Sequence, residues 1–296
     1  PVSPEYLWQF FNPGSTGPSP SSSGGTNYAM NGASTGLVNF NYFRGSSYGV
    51  FQNQGAAPQL SAFLSDNPSF NPSTSLFMVW LFPNDVLSWL STGLGQDAGT
   101  VSGGAPQTVD APGLIANGIT NIATMITALA AKGGTQFLVP NMPDLGQTPL
   151  FRGNPGSAAL LSGLTTAFNS NLDPALQSLQ ASLPGVEITR FQTDDLFAQM
   201  IQSPSSFGFT NVTDACMNMI LNTVCANPSQ YLFWDDFHPT TAGQRLIGQN
   251  FYAATVDIPG PLPVAGVTAA FAWSRRLRLR IRNGRASRPA PGTNAG

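Results

Sequence analysis

The sequence predicts an α/β fold: a three-layer α/β/α sandwich of flavodoxin-like type built on a parallel sheet. Three observations carry this. Short continuous apolar runs recur along the chain, stretches with 3.6-residue apolar spacing separate them, and the two kinds alternate as strand, helix, strand, helix, strand. That order calls for right-handed crossovers, which put helices on both faces of one sheet.

The first apolar run is 76–82 (LFMVWLF), flanked by Pro72-Ser73-Thr74 and Pro83-Asn84-Asp85; it reads as a strand buried on both faces. The runs 135–140 (TQFLVP) and 186–191 (VEITRF) read the same way. Between the first two lies a helix over 111–131, with Leu114, Ile115, Ile119, Ile122, Met125, Ile126 and Leu129 on one side and Gly133-Gly134 as the stop. Residues 158–183 repeat the pattern, with a kink expected at Pro174, and 241–256 form a last helix. Residues 12–26 are a Gly/Pro/Ser loop without periodicity, and the first strand of such a sheet is not found in the chain. In folds of this kind, function gathers in loops at the carboxyl ends of the strands.

Composition narrows the function classes. Charged residues make up 9% of the 296, against roughly 25% in an average domain, while 42% are hydrophobic, with 31 Gly and 25 Pro. Residues 1–258 hold all 14 acids and only five bases, Arg44, Lys132, Arg152, Arg190 and Arg245; residues 259–296 hold seven arginines and no acid. An acidic body argues against nucleic acid as a partner. One domain over 1–257, followed by a tail over 258–296, is expected. Cys216 and Cys225 have eight residues between them; a local disulfide, implying an oxidising compartment, is preferred over two separate buried thiols. With one histidine in the chain, a zinc site lacks ligands, and no metal is expected. No stretch of 18 consecutive apolar residues occurs, so no transmembrane helix is expected. The opening Pro1-Val2-Ser3-Pro4 carries no signal-peptide pattern and reads as a start in mid-domain.

Chemistry concentrates in three stretches. Residues 231–240 (YLFWDDFHPT) hold the only histidine, His238, three residues after Asp235. A turn between them lets the carboxylate accept from Nδ1–H, leaving Nε2 free to take a proton from a hydroxyl. The alternative is a solvated turn before a helix. Asn84 directly follows the first apolar run, where its amide can donate to a developing oxyanion; the alternative is a helix cap. Residues 27–36 (NYAMNGASTG) start like a short strand and run into small residues, and Gly32 there lets a backbone N–H approach a ligand; the alternative is an ordinary turn.

Taken in order, these stretches resemble the GDSL/SGNH hydrolase family, over residues 27–240. The Gly32 stretch is similar to the family's NYAxxGA block, Phe82-Pro83-Asn84-Asp85 to its GxND block, and 234–240 to its WDxxHPT block. The loop 139–146 (VPNMPDLG) and the stretch 208–213 (GFTNVT) are similar to segments of the lipase branch. The resemblance implies a secreted serine ester hydrolase working through an acyl-enzyme. His238 would be the general base, Asp235 its partner, and the Gly32 N–H and Asn84 side chain the oxyanion donors. No cofactor is implied; the substrate would be a small-molecule, lipid or acylated-glycan ester, and a monomer is expected. Two departures stand out. Phe82 replaces the glycine of GxND, and no Gly-Asp-Ser nucleophile block precedes Gly32, so the nucleophile is not assigned and residues 1–296 alone are expected to lack turnover. The alternative is a non-catalytic extracellular binding or adhesion protein that kept the fold.

The tail (DIPGPLPVAGVTAAFAWSRRLRLRIRNGRASR, from Asp257) joins a Pro-rich motif, a short apolar run and an arginine cluster. It resembles the C-terminal sorting tails of exported bacterial proteins, giving transient membrane contact and an extracytoplasmic location. The alternative is a basic extension that binds anionic lipid.

Overall fold

The structure is a computed structural model that describes residues 1–93, 95–218 and 221–256. The tail expected at 258–296 lies outside the described residues.

In chain order, helix α1 (Ser3–Phe11) precedes a long irregular stretch containing 3-10 turns at Ser21–Ser23, Phe40–Arg44 and Ser46–Phe51. Then come α2 (Ala56–Asp66), β1 (Leu76–Met78), α3 (Pro83–Ser91), α4 (Ala111–Ala131), β2 (Gln136–Pro140), the single turn α5 (Pro149–Arg152), α6 (Pro155–Ser182), β3 (Glu187–Phe191) and α7 (Thr193–Gln202). The chain continues through β4 (Asn211–Ala215), β5 (Met217–Asn218), β6 (Thr223–Val224), β7 (Tyr231–Phe233) and α8 (Thr241–Val256). Strands β1, β2 and β3 form one parallel sheet in that order, with Leu76 opposite Gln136 and Phe137 opposite Ile188.

Local chemistry sets the helix ends. Asp110 accepts from the Gly113 N–H and caps α4, and Gly133, at φ +99°, turns the chain out of it. Asn154 caps α6 by accepting from Ser157 N–H, and that helix runs unbroken for 28 residues through Pro174. Helix α4 is long and apolar enough, by composition, to cross a membrane. Its Leu114, Ile122 and Ile126 instead bury in the core.

The pleat of β2 explains the layers. Successive strand side chains point to opposite faces. Phe137 and Val139 pack with α2, α3, α4 and α6, whereas Leu138 between them packs with α1, α7 and α8. Phe137 and Leu138 are both fully buried, and burying each stabilises the fold by about 1.5–3 kcal/mol. A sheet apolar on both faces needs cover on both, so the three-layer α/β fold follows.

Two stretches differ from the sequence expectation. The apolar run outlasts its strand: β1 ends at Met78, and after a last bond from Val79 N–H to Leu138 C=O the chain leaves the ladder to reach the turn at Phe82. Residues 27–36 form no strand; they hold turns and isolated bridges, Pro20 with Asn27 and Ala33 with Asn39, because side-chain amides take up their carbonyls.

Beside the main sheet, β4 and β7 pair in parallel, and β5–β6 is a short hairpin. Cys216 and Cys225 close that hairpin with a disulfide, the better of the two readings of the cysteines.

Candidate active site

The loop after β7 folds back on itself. Trp234 N–H donates to the His238 C=O, and Thr240 donates its N–H to Leu232 C=O and its hydroxyl to Tyr231 C=O. Inside this turn, Asp235 Oδ1 accepts the backbone N–H groups of Phe237 and His238, and Oδ2 meets His238 Nδ1 at 2.8 Å. Burial pulls the Asp235 carboxyl upward, but the bonds from the His238 ring and from the His238 and Phe237 N–H groups outweigh it. The carboxyl therefore lies below the usual range and stays ionised. The His238 side chain is 51% exposed, so its far nitrogen can be reached by a reactant. An anchored carboxylate holding an accessible imidazole can orient it and stabilise its protonated form.

The disulfide hairpin is bonded to this loop: Cys216 N–H donates to Phe233 C=O and Met217 N–H to Trp234 C=O. On the other side, Leu150 N–H donates to the Asp236 C=O. The loop leaving β2 therefore meets the loop leaving β7 at the carboxyl ends of their strands.

Gly32 and Asn84 form a second pair. Gly32 sits at φ +78° and is buried, in a turn whose Met30 and Asn31 are exposed. Asn84, the second residue of α3, donates Nδ2 to the C=O of Ala33, next to Gly32, at 3.1 Å. One amide proton of Asn84 is thus used, and the other has no acceptor among the described residues. The Gly32 N–H has none either. Asn84 does not cap α3; the cap position is Phe82.

Phe82, where the resemblance expects glycine, answers how the loop tolerates a bulky residue. Its backbone sits at φ +99°, a conformation that costs a non-glycine residue about 1–3 kcal/mol. Its ring is fully buried and stacks on Phe168 with centroids 3.7 Å apart. Gly118 makes room, since a Cβ there would stand 2.3 Å from the ring. Stacking and burial offset the strain, so the turn keeps its shape.

Asp85 ties the two loops further. It is fully buried and accepts both the N–H and the hydroxyl of Thr35. Burial raises its carboxyl to about 7, against a partial lowering by the Thr35 bonds. Asn121 extends the chain by donating to Thr35 Oγ1.

The structure therefore brings Asp235 to His238, and Asn84 to the Gly32 turn. No hydrogen bond joins the two pairs among the described residues. Sequence reasoning left Asp85, Thr35 and Asn121 without a role. No group of three or more His, Cys, Asp or Glu side chains is placed to hold a metal among the described residues.

Comparison with known proteins bears on the family of the chain. The profile of the GDSL-like Lipase/Acylhydrolase family matches residues 3–251. From Arabidopsis thaliana, GDSL esterase/lipase 7 is 26% identical over 162 residues, which are 49% of this chain and 44% of the relative. GDSL esterase/lipase APG from the same plant is 30% identical over 166 residues, 49% of this chain and 46% of the relative. A Pseudomonas putida protein described only as an uncharacterized protein in the trpE-trpG intergenic region is 32% identical over 157 residues, 49% of this chain and 26% of its own. The chain thus spans less than half the length of these relatives. A match over residues 3–251, most of the chain, together with a two-faced parallel sheet, places this chain in the GDSL-like lipase/acylhydrolase family.

Proposed function

We propose that the chain contributes the base, its orienting carboxylate and the oxyanion donors of a carboxylic ester hydrolase that works through an acyl-enzyme. The observation that carries this is the 2.8 Å contact between Asp235 Oδ2 and His238 Nδ1, with the imidazole half exposed. In this reading a serine Oγ attacks the ester carbonyl carbon and its proton passes to His238 Nε2. The carbonyl oxygen, now negative, receives hydrogen bonds from Gly32 N–H and the free proton of Asn84 Nδ2. Collapse expels the alcohol, which takes the proton from His238, and water repeats the sequence to free the acid.

The attacking serine is left without an assigned position in this reading. No described serine is hydrogen-bonded to the His238 ring. The substrate is a small-molecule, lipid or acylated-glycan ester. A location outside the cytoplasm is supported by the disulfide.

A second reading, a binding protein that kept the fold without turnover, is favoured by the same lack of a serine at His238. One experiment separates the two. The intact gene product is assayed on p-nitrophenyl esters of short and long acids, beside His238→Ala with its circular dichroism matched. Turnover in the first and its loss in the second supports the hydrolase; a product that binds esters without turnover supports the second reading.

A further inference from the structure

We infer that Asn39 and Asn41 are positioning residues that aim the Gly32 N–H, an inference that rests on the oxyanion role proposed for that group. The peptide between Asn31 and Gly32 is held from its carbonyl side. Asn39 Nδ2 donates to Asn31 C=O at 2.9 Å, and Asn41 Nδ2 donates to the same oxygen at 3.1 Å. A trans peptide is planar, with C=O and N–H pointing in opposite directions. Two donors on the oxygen therefore fix where the Gly32 N–H points.

The two amides are themselves anchored. Asn39 gives its second proton to Gln54 C=O at 2.9 Å, and its Oδ1 accepts the Asn41 N–H at 2.9 Å. Asn39 is 1% exposed and Asn41 6%. Phe40 N–H, between them, donates to Gly32 C=O at 2.7 Å, so the next peptide plane is held as well. Three consecutive residues thus grip both peptides that flank Gly32.

This grip explains why position 32 is glycine beyond its φ of +78°. A Cβ would stand 2.4 Å from Asn41 Nδ2 and 2.5 Å from Asn39 Oδ1, in the space the amides cross. The Gly32 N–H has no described acceptor, and neither has the Asn31 N–H beside it. Two donors on the carbonyl also draw electron density toward its oxygen, which leaves the N–H a stronger donor. An aimed, unspent and polarised N–H is what a developing oxyanion needs.

The test uses amide spectroscopy and kinetics together. In the unaltered chain, labelled with 15N-glycine and 15N-phenylalanine, the Gly32 amide is expected to exchange with solvent far faster than the Phe40 amide. Equal protection of the two overturns the inference without any variant. Asn41→Asp keeps the shape but replaces the donor by an acceptor, and Asn41→Leu removes it without a charge. Either one that folds is expected to move the Gly32 amide shift while leaving glycines far from the turn in place. In the intact gene product the same variant is expected to lower kcat about 10-fold or more at little-changed KM, since loss of one oxyanion donor costs about 10²–10³. An unmoved Gly32 shift, or a raised KM with kcat intact, overturns it. Absence of turnover in the unaltered product would sink the hydrolase reading instead, and the amide measurements would still decide what the asparagines do.

Discussion

Asp235 and His238 are three residues apart, and the turn between them uses four hydrogen bonds to hold one carboxylate against one ring. The carboxylate accepts two backbone N–H groups besides the imidazole, so it cannot swing away. Replacing it with asparagine keeps the volume but presents an amide to Nδ1 and disfavours the tautomer that leaves Nε2 basic. Asp235→Asn in the intact gene product is expected to lower kcat by about 10⁴ with the fold preserved, read from ester turnover beside circular dichroism. Asp85 makes a different kind of prediction. Its folded carboxyl titrates near 7, above the ordinary 3.8, because burial disfavours its charge. Between those values the folded protein holds a proton that the unfolded chain has released. The Asp85 contribution is therefore full below about pH 4, falls as pH rises, and is lost above about pH 7. Urea midpoints of the unaltered protein, taken relative to Asp85→Asn, should decline across that window and then level off.

At the level of elements, the disulfide hairpin is a clip on the strand that leads into the Asp–His turn. Its bonds to Phe233 and Trp234 hold the backbone just before Asp235. Closing so short a loop contributes about 2–3 kcal/mol by restricting the unfolded chain. Reduction, or Cys216→Ser with Cys225→Ser, should therefore lower the urea-derived stability by about that amount. A stability unchanged by reductant would mean the hairpin is held by its backbone bonds alone. The turn from β1 into α3 shows the opposite balance. There the strained backbone at Phe82 persists because the ring on Phe168 and the bare Gly118 face give the side chain a fully buried seat.

Over the whole molecule, β2 is the hinge between two apolar layers. One layer gathers α2, α3, α4 and α6; the other gathers α1, α7 and α8 with β7. The segments that follow β1, β2 and β7 carry Asn84 on α3, Leu150 on α5 and the Asp–His turn, so core packing also sets the site. Leu138 faces the second layer, the one that holds β7. Leu138→Ala should cost about 2–5 kcal/mol by leaving a cavity there. Thermal unfolding followed by both far-ultraviolet signal and tryptophan emission would show one shared, lowered transition. Two separate transitions would show that the layers unfold independently.

The expected bounds of α4 and α8 match the structure, and continuous apolar runs located the three strands of the main sheet, because apolar spacing and helix stops such as Gly133-Gly134 are properties of the local chain. The Asp235–His238 contact was legible for the same reason: a spacing of three closes within one turn. The expected strand over 76–82 came out shorter, since an apolar run does not say where the ladder partner stops. What the linear order left open is long-range. Asn84 reaches a turn 51 residues earlier, Asp85 binds Thr35 across 50, and Phe82 holds a glycine-like backbone against Gly118. Nothing in the linear order singles out Asn39 and Asn41; the fold lays them across Gly32. The sequence by itself determined the layers and the Asp–His turn, since both follow from spacing along one backbone. Tertiary structure decided which buried polar groups meet at Gly32, because those contacts exist only when packing brings distant segments within hydrogen-bond reach.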